Sequence, residues 1–183
     1  TPNQVTLLSL AMGLLAAWLL AQPGRSAGLA GLALFQASVI LDHADGEIAR
    51  LKFQFSRYGK WLDNFSDHLV DLAVVGGIAW RAAGAGASGR LILVALLAAV
   101  GLTGAFLAVF FWSLRGGRSG ASTPDPLAAM ANRDGFSLAL WGSVLLGRPE
   151  LLLWVLAVGA NLYWLAWLLT RPLYAPPRSG PPA

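Results

Sequence analysis

The chain has 183 residues, 56% of them hydrophobic and 12% charged, with a formal net charge of +4 and no cysteine. Soluble domains carry roughly 25% charged residues, so this composition excludes an ordinary soluble domain and points to a membrane protein; the missing cysteine excludes disulfides and thiol chemistry. The positive balance reflects topology and contact with anionic lipid, since no basic-aromatic stripe or nucleic-acid motif accompanies it, and nucleic acid is not expected as a partner.

The sequence begins at Thr1 without Met, which leaves open upstream residues, a removed tag or a preceding domain. Pro2 is a good helix opener, and Val5 to Ala21 is an uncharged run of 17 residues, long enough to span a bilayer. It lacks the basic start and the cleavage site of a signal peptide. Ala27 to Leu41 is an apolar stretch of 15 residues that runs straight into Asp42. Leu69 to Trp80 mirrors it on the far side of a polar connection, with Asp71 as its one acid. Each looks short because one end is polar, as spans can be where they line a cavity or face other helices.

Leu91 to Trp112 follows, with 22 uncharged residues that cover a hydrocarbon core of about 30 Å at about 1.5 Å per residue. Arg115 to Pro126 is rich in Gly, Ser and Pro and reads as a mobile loop. Asn132-Arg133-Asp134 opens a weaker span, Gly135 to Gly147, where Asp134 suits a helix cap and Arg133 a headgroup anchor. Leu151 to Leu169 is a further run of 19 apolar residues, and most of the tryptophans fit interface belts. The expected architecture is all-α, a bundle of six transmembrane helices over residues 1–171, with a Pro-rich disordered tail at 172–183. Six spans put both termini on one side. That side holds nine of the 13 basic residues, leaving Arg25, Arg81, Arg90 and Arg148 opposite, so the polar connection is expected at the cytoplasmic face.

Between Asp42 and Asp67 the chain reads D-x-x-D-G-x-x-A-R, eight further residues, then G-x-x-x-D-x-x-x-D. On a helix, Asp42, Asp45 and Ala49 share a face, and on the next helix so do Gly59, Asp63 and Asp67. Four carboxylates brought together at low dielectric require cations, and oxygen-only ligands select Mg2+, Mn2+ or Ca2+ over zinc or copper. Gly46, Ala49 and Gly59 lack bulk beside the acids, so a phosphorylated ligand can approach the backbone, and Arg50 adds a fork for phosphate oxygens. Small residues also serve plain helix packing. His43 and His68 flank the acids but sit off their face, which suits packing or a supporting role. Asp71, one turn beyond Asp67, is left open between a cavity-lining acid and the partner of an arginine.

These spaced residues resemble the signature of the CDP-alcohol phosphotransferase family of integral membrane enzymes, and every signature position matches. The resemblance implies transfer of a substituted phosphate from a CDP-linked donor to the hydroxyl of an acceptor alcohol, with release of CMP. It implies that Asp42, Asp45, Asp63 and Asp67 hold one or two Mg2+ or Mn2+ ions, and that Asp67 is the catalytic base. It gives Asn3, Thr6, Gly46, Ala49, Arg50 and Gly59 to the nucleotide and donor seat; Asn3 and Thr6 equally suit a helix cap. Arg57, Lys60, Arg115, Arg118 and Arg133 could surround an acceptor that carries a phosphate, such as inositol phosphate or glycerol phosphate, or could serve topology alone. CDP-diacylglycerol is the expected donor, with CDP-inositol the alternative. A homodimer in a bacterial or archaeal cytoplasmic membrane is expected. A cation- or proton-coupled transporter is the competing class, but such proteins place their acids near the midplane, between repeats.

Overall fold

The computed structural model describes residues 2–51, 57–86, 88–114 and 133–170, and gives the backbone alone at 2, 3, 45–51, 57, 58, 60, 109, 111–114 and 170. Among the described residues there are six helices and no strand: α1 Pro2–Ala21, α2 Arg25–Leu51, α3 Arg57–Gly84, α4 Gly89–Leu114, α5 Arg133–Leu145 and α6 Leu151–Thr170. The all-α expectation holds. The loop expected at Arg115 to Pro126 and the tail at 172–183 lie outside the described residues.

The two stretches that look short in sequence belong to the two longest helices. α2 has 27 residues and α3 has 28, because each helix continues through its half of the acidic motif instead of ending at it. At about 1.5 Å per residue each is about 40 Å long, some 10 Å more than a hydrocarbon core of about 30 Å. The motif therefore occupies the last turns of α2 and the first turns of α3. α1, α2, α4 and α6 are long and apolar enough to cross a membrane. α3 carries Asp63, Asp67 and Asp71, and α5 has only 13 residues, so neither meets that description by length and composition.

α1 is wedged between α2 and α3, α4 pairs with α6, and α5 contacts α2 and α6. Small residues set these distances. A Cβ on Gly77 would lie 2.5 Å from the Ala17 carbonyl oxygen, one on Gly31 would lie 3.0 Å from that of Ala16, and one on Gly13 would meet the Val70 methyls at 2.6 and 2.7 Å. Dispersion between closely approached backbones is what holds apolar helices together in lipid, where burial away from water contributes little. Phe35, Leu20, Leu32, Val70, Val74 and Ile78 fill the space these contacts enclose. The α4–α6 pair adds one polar tie, from Asn161 to Leu97, braced by two hydrogen bonds within α6. Asn161 donates from Nδ2 to the carbonyls of Leu97 and Ala157, both at 2.9 Å, and Trp164 Nε1 donates to Asn161 Oδ1 at 3.1 Å. Leu138, Leu146 and Leu169 are 73%, 72% and 74% exposed, the pattern of a surface solvated by lipid.

Candidate active site

The pairing of α1 with its neighbours puts the acids at one level. Gly13 faces Val70 and Gly77 faces Ala17, so α1 and α3 run parallel; Gly31 faces Ala16 and Leu20, so α2 returns antiparallel to α1. Following each register toward the start of α1 brings Thr6 level with Asp63 on α3 and with Asp42 on α2. Thr6 and Ser9 are buried, and Ser9 Oγ donates to the Thr6 carbonyl at 2.9 Å.

At that level Asp42, Asp63 and Asp67 each present a carboxylate oxygen within 4.8 Å of the other two. Asp63 and Asp67 are one turn apart on α3, and Asp42 is the residue at which α2 turns polar. Three such charges at these distances repel strongly unless a cation lies among them. Arg133, first residue of α5, enters the group. Its Nη1 lies 3.2 Å from Asp42 Oδ2 and also pairs with Asp67 Oδ1, with the Arg133 and Asp42 side chains each 11% exposed. Asp42 Oδ1 is buried without a hydrogen-bond partner. An all-oxygen donor set with an unused buried oxygen fits a hard divalent cation.

The structure thus brings together Asp42, Asp63, Asp67 and Arg133, sets Thr6 at their level, and places Gly59 one turn before Asp63. Arg133 sits deeper than a headgroup anchor would, in direct contact with two of the acids. Asp45, Gly46, Ala49 and Arg50 lie on the same helix as Asp42, within the turns that follow it, but their side chains lie outside the described residues, as do those of Asn3, Arg57 and Lys60. Arg115 and Arg118 lie outside the described residues altogether.

Asp71 extends the acidic face one turn deeper. Its Oδ1 is buried with no hydrogen-bond partner, and it feels the charge of Asp42. The histidines stay out of the carboxylate group, as their off-face positions imply. His68 Nε2 lies 3.4 Å from Thr103 Oγ1 and its ring stacks on Phe106 with centroids 4.5 Å apart, so it ties α3 to α4. His43 Nδ1 lies 2.9 Å from the Val39 carbonyl of its own helix. The sequence reading missed the ion pairs of Arg133. The available signal was an arginine opening a short helix whose one other charge is Asp134 beside it, where a charge next to an apolar segment calls for a partner.

Long apolar helices with an oxygen-only acidic cluster at one end of the bundle have the make-up of a membrane protein with a candidate metal site. The chain belongs to the CDP-alcohol phosphatidyltransferase family, whose model matches residues 1–172. Its curated relatives include the bifunctional IPC transferase and DIPP synthase of Aquifex aeolicus, 39% identical over 79 residues, 43% of this chain and 18% of that protein. The protein of that name from Archaeoglobus fulgidus is 45% identical over 70 residues, 38% of this chain and 14% of that one. The matched part is therefore under a fifth of either relative.

Two crystal structures of Mycobacterium tuberculosis phosphatidylinositol phosphate synthase share the fold. The one with CDP-DAG bound has a TM-score of 0.78 at 22% identity and covers 100% of this chain and 92% of that one. The complex with manganese and citrate has a TM-score of 0.75 at 23% identity, covering 100% and 87%.

Proposed function

We propose that this chain transfers a substituted phosphate from a CDP-alcohol, with CDP-diacylglycerol the preferred donor, to the hydroxyl of a small phosphorylated alcohol such as inositol phosphate or glycerol phosphate, releasing CMP. The observation that carries the reading is the convergence of Asp42, Asp63 and Asp67 within 4.8 Å beside Arg133. These acids, with Asp45 from the same signature, would hold Mg2+ or Mn2+. Such ions, when bound, neutralise charge on the donor pyrophosphate and on the departing CMP. The manganese in one fold neighbour supports this assignment.

The remaining work falls to the chain's own residues. Gly46, Ala49 and Gly59 leave the donor room against the helix backbones, and Asn3, Thr6 and Arg50 complete its seat. Asp67 takes the proton of the acceptor hydroxyl, or orients that hydroxyl, as its oxygen bonds to the donor phosphorus. The bond from that phosphorus to the CMP oxygen breaks, and CMP leaves with the electron pair. Arg133 offers the acceptor phosphate a planar donor fork, with Arg57, Lys60, Arg115 and Arg118 supplying further charge around the mouth.

In this reading all six helices cross the bilayer, α3 and α5 shielded by their neighbours, with the carboxylates at the cytoplasmic face of a bacterial or archaeal membrane and the protein a homodimer. The test is CMP release from CDP-diacylglycerol by the purified protein in detergent, with Mg2+ or Mn2+ and with EDTA, over inositol phosphate, glycerol phosphate, inositol, serine and glycerol. No release with any acceptor would end the assignment. A second reading, CDP-inositol as donor in the synthesis of inositol phosphodiesters, draws support from the names of the curated relatives, and the same assay with CDP-inositol decides between them.

A further inference from the structure

The other end of the bundle holds a cavity that the transfer reaction does not use. It has a volume of about 230 Å³ and is lined by Arg25 and Gly28 of α2, Arg81 of α3, and Val144, Gly147 and Pro149 at the α5–α6 turn. Its two charged residues are both arginines, and no carboxylate lines it. Neither Arg25 nor Arg81 has an ion pair or side-chain hydrogen bond among the described residues, and Arg81 is half-buried. A half-buried guanidinium such as that of Arg81 is unfavourable without an anion, and the exposed Arg25 on the same cavity repels it.

The surrounding backbone is shaped to keep them there. Gly28 has no side chain, and a Cβ on it would lie 3.4 Å from Arg81 Nη1 and 3.7 Å from Val144 Cγ1, so the guanidinium lies over bare helix. Gly147 turns the chain at a φ of 72°, which closes the opposite wall and which residues with a Cβ rarely adopt. From Asp42 back to Arg25, and from Asp67 on to Arg81, the helices rise about 26 Å and about 21 Å. The cavity and the carboxylates are therefore separated by nearly the thickness of the hydrocarbon layer, which is about 30 Å. Trp80, beside Arg81 and 76% exposed, marks the adjoining surface as an interfacial belt.

We propose that this cavity is an anion site that takes the phosphate group of a phospholipid headgroup from the leaflet opposite the carboxylates. Arg25 and Arg81 provide the paired donor forks for the phosphate oxygens, and the cavity volume accommodates the glycerol side of the headgroup. The same chemistry would admit free phosphate, so the test separates the two sources.

The full chain in detergent is titrated with dioctanoyl phosphatidylglycerol, and native mass spectrometry counts the bound lipids. Wild type is expected to retain one lipid more tightly, by about tenfold or more, than Arg25→Gln/Arg81→Gln, a comparison that isolates this cavity from the carboxylate site. Gly28→Val keeps both charges but displaces Arg81, and it should lose the same lipid with an unchanged circular dichroism spectrum. Arg148→Gln removes an equal charge from the same end, outside the cavity, and should retain it. Inorganic phosphate that displaces the lipid would assign the site to the free anion, and failure to displace it would assign the site to the headgroup. Equal lipid binding by wild type, the double variant and Gly28→Val would overturn the proposal. So would an equal loss in Arg148→Gln, which would trace the affinity to diffuse charge.

Discussion

Replacing Arg133 by Gln should tighten divalent-metal binding while impairing transfer, a pairing that ordinary damage to an active site would not produce. Two unit charges 3.2 Å apart, as Arg133 and Asp42 are, attract by about 5 kcal/mol at an effective dielectric near 20. Two carboxylate oxygens at the 4.8 Å limit of the cluster repel by about 3.5 kcal/mol on the same scale. The guanidinium is thus the counter-charge that makes the metal-free cluster tolerable, and a cation must compete with it.

Most of that gross attraction is offset by desolvation of both partners. A net coupling of about 1.4–2.8 kcal/mol is a reasonable share, which is about ten- to hundredfold in the Mn2+ dissociation constant. Paramagnetic resonance of free Mn2+ during titration of the detergent-solubilised protein reads that constant directly, and Arg133→Lys, which keeps the charge, should stay near wild type. Turnover of Arg133→Gln should fall because the acceptor phosphate loses its fork. Unchanged or weaker Mn2+ affinity in a folded Arg133→Gln would refute the reasoning.

Asp42→Asn and Asp63→Asn should each abolish saturable Mn2+ binding and CMP release, whereas Asp67→Asn should lower kcat by about 10²–10⁴ with a smaller change in donor affinity, as measured by initial rates against donor concentration. Gly59→Leu should raise the donor KM by filling the space one turn before Asp63, with the thermal transition unchanged; an unaltered KM would mean that this glycine serves packing alone. Gly77→Val drives a side chain into the Ala17 carbonyl and should cost about 1–3 kcal/mol of stability, seen as a lower Tm in detergent. Gln36→Leu leaves the donors on Ser137 and Trp141 without their acceptor, at a cost of about 1–3 kcal/mol, and should also raise the acceptor KM through the displacement of Arg133. A phosphorylated acceptor should outcompete its neutral counterpart in CMP release.

The acidic signature was legible because helical periodicity alone puts Asp63 and Asp67 on one face and gives Asp42 a matching position on the preceding helix. Long apolar runs likewise located α1, α4 and α6 to within three residues at each end. What the periodicity could not supply was the length of α2 and α3. Hydropathy ends a span where charge begins, but a helix continues as long as its backbone hydrogen bonds do. Arg133 reads as a headgroup anchor for a related reason: a charge at the start of a short helix looks like a membrane anchor, and its pairing with Asp42 crosses 91 positions of sequence that no local pattern spans. The cavity at Arg25 and Arg81 had no sequence signal beyond the scarcity of arginines on that side.

The position of Arg133 follows from a polar contact inside the bundle and from helix geometry. Gln36 Oε1 on α2 accepts from Ser137 Oγ at 2.7 Å and from Trp141 Nε1 at 2.9 Å, two donors one turn apart on α5. Phe136 lies against Phe35 with centroids 5.6 Å apart, so the apolar contact and the polar one agree on the register. From this contact Asp42 is about 9 Å farther along α2 and Arg133 about 6 Å back along α5 toward its start. Both therefore lie toward the same end of the bundle. Side chains on a helix lean toward its N-terminus, so the arginine at the start of α5 leans out toward the carboxylates and Asp42, late in α2, leans back to meet it. A slip of α5 by one turn would move Arg133 by about 5.4 Å, farther than an ion pair tolerates, and would also strand the Gln36 acceptor. The Gln36 and Phe35 contacts would both report such a slip, and the chain direction of α5 aims the guanidinium.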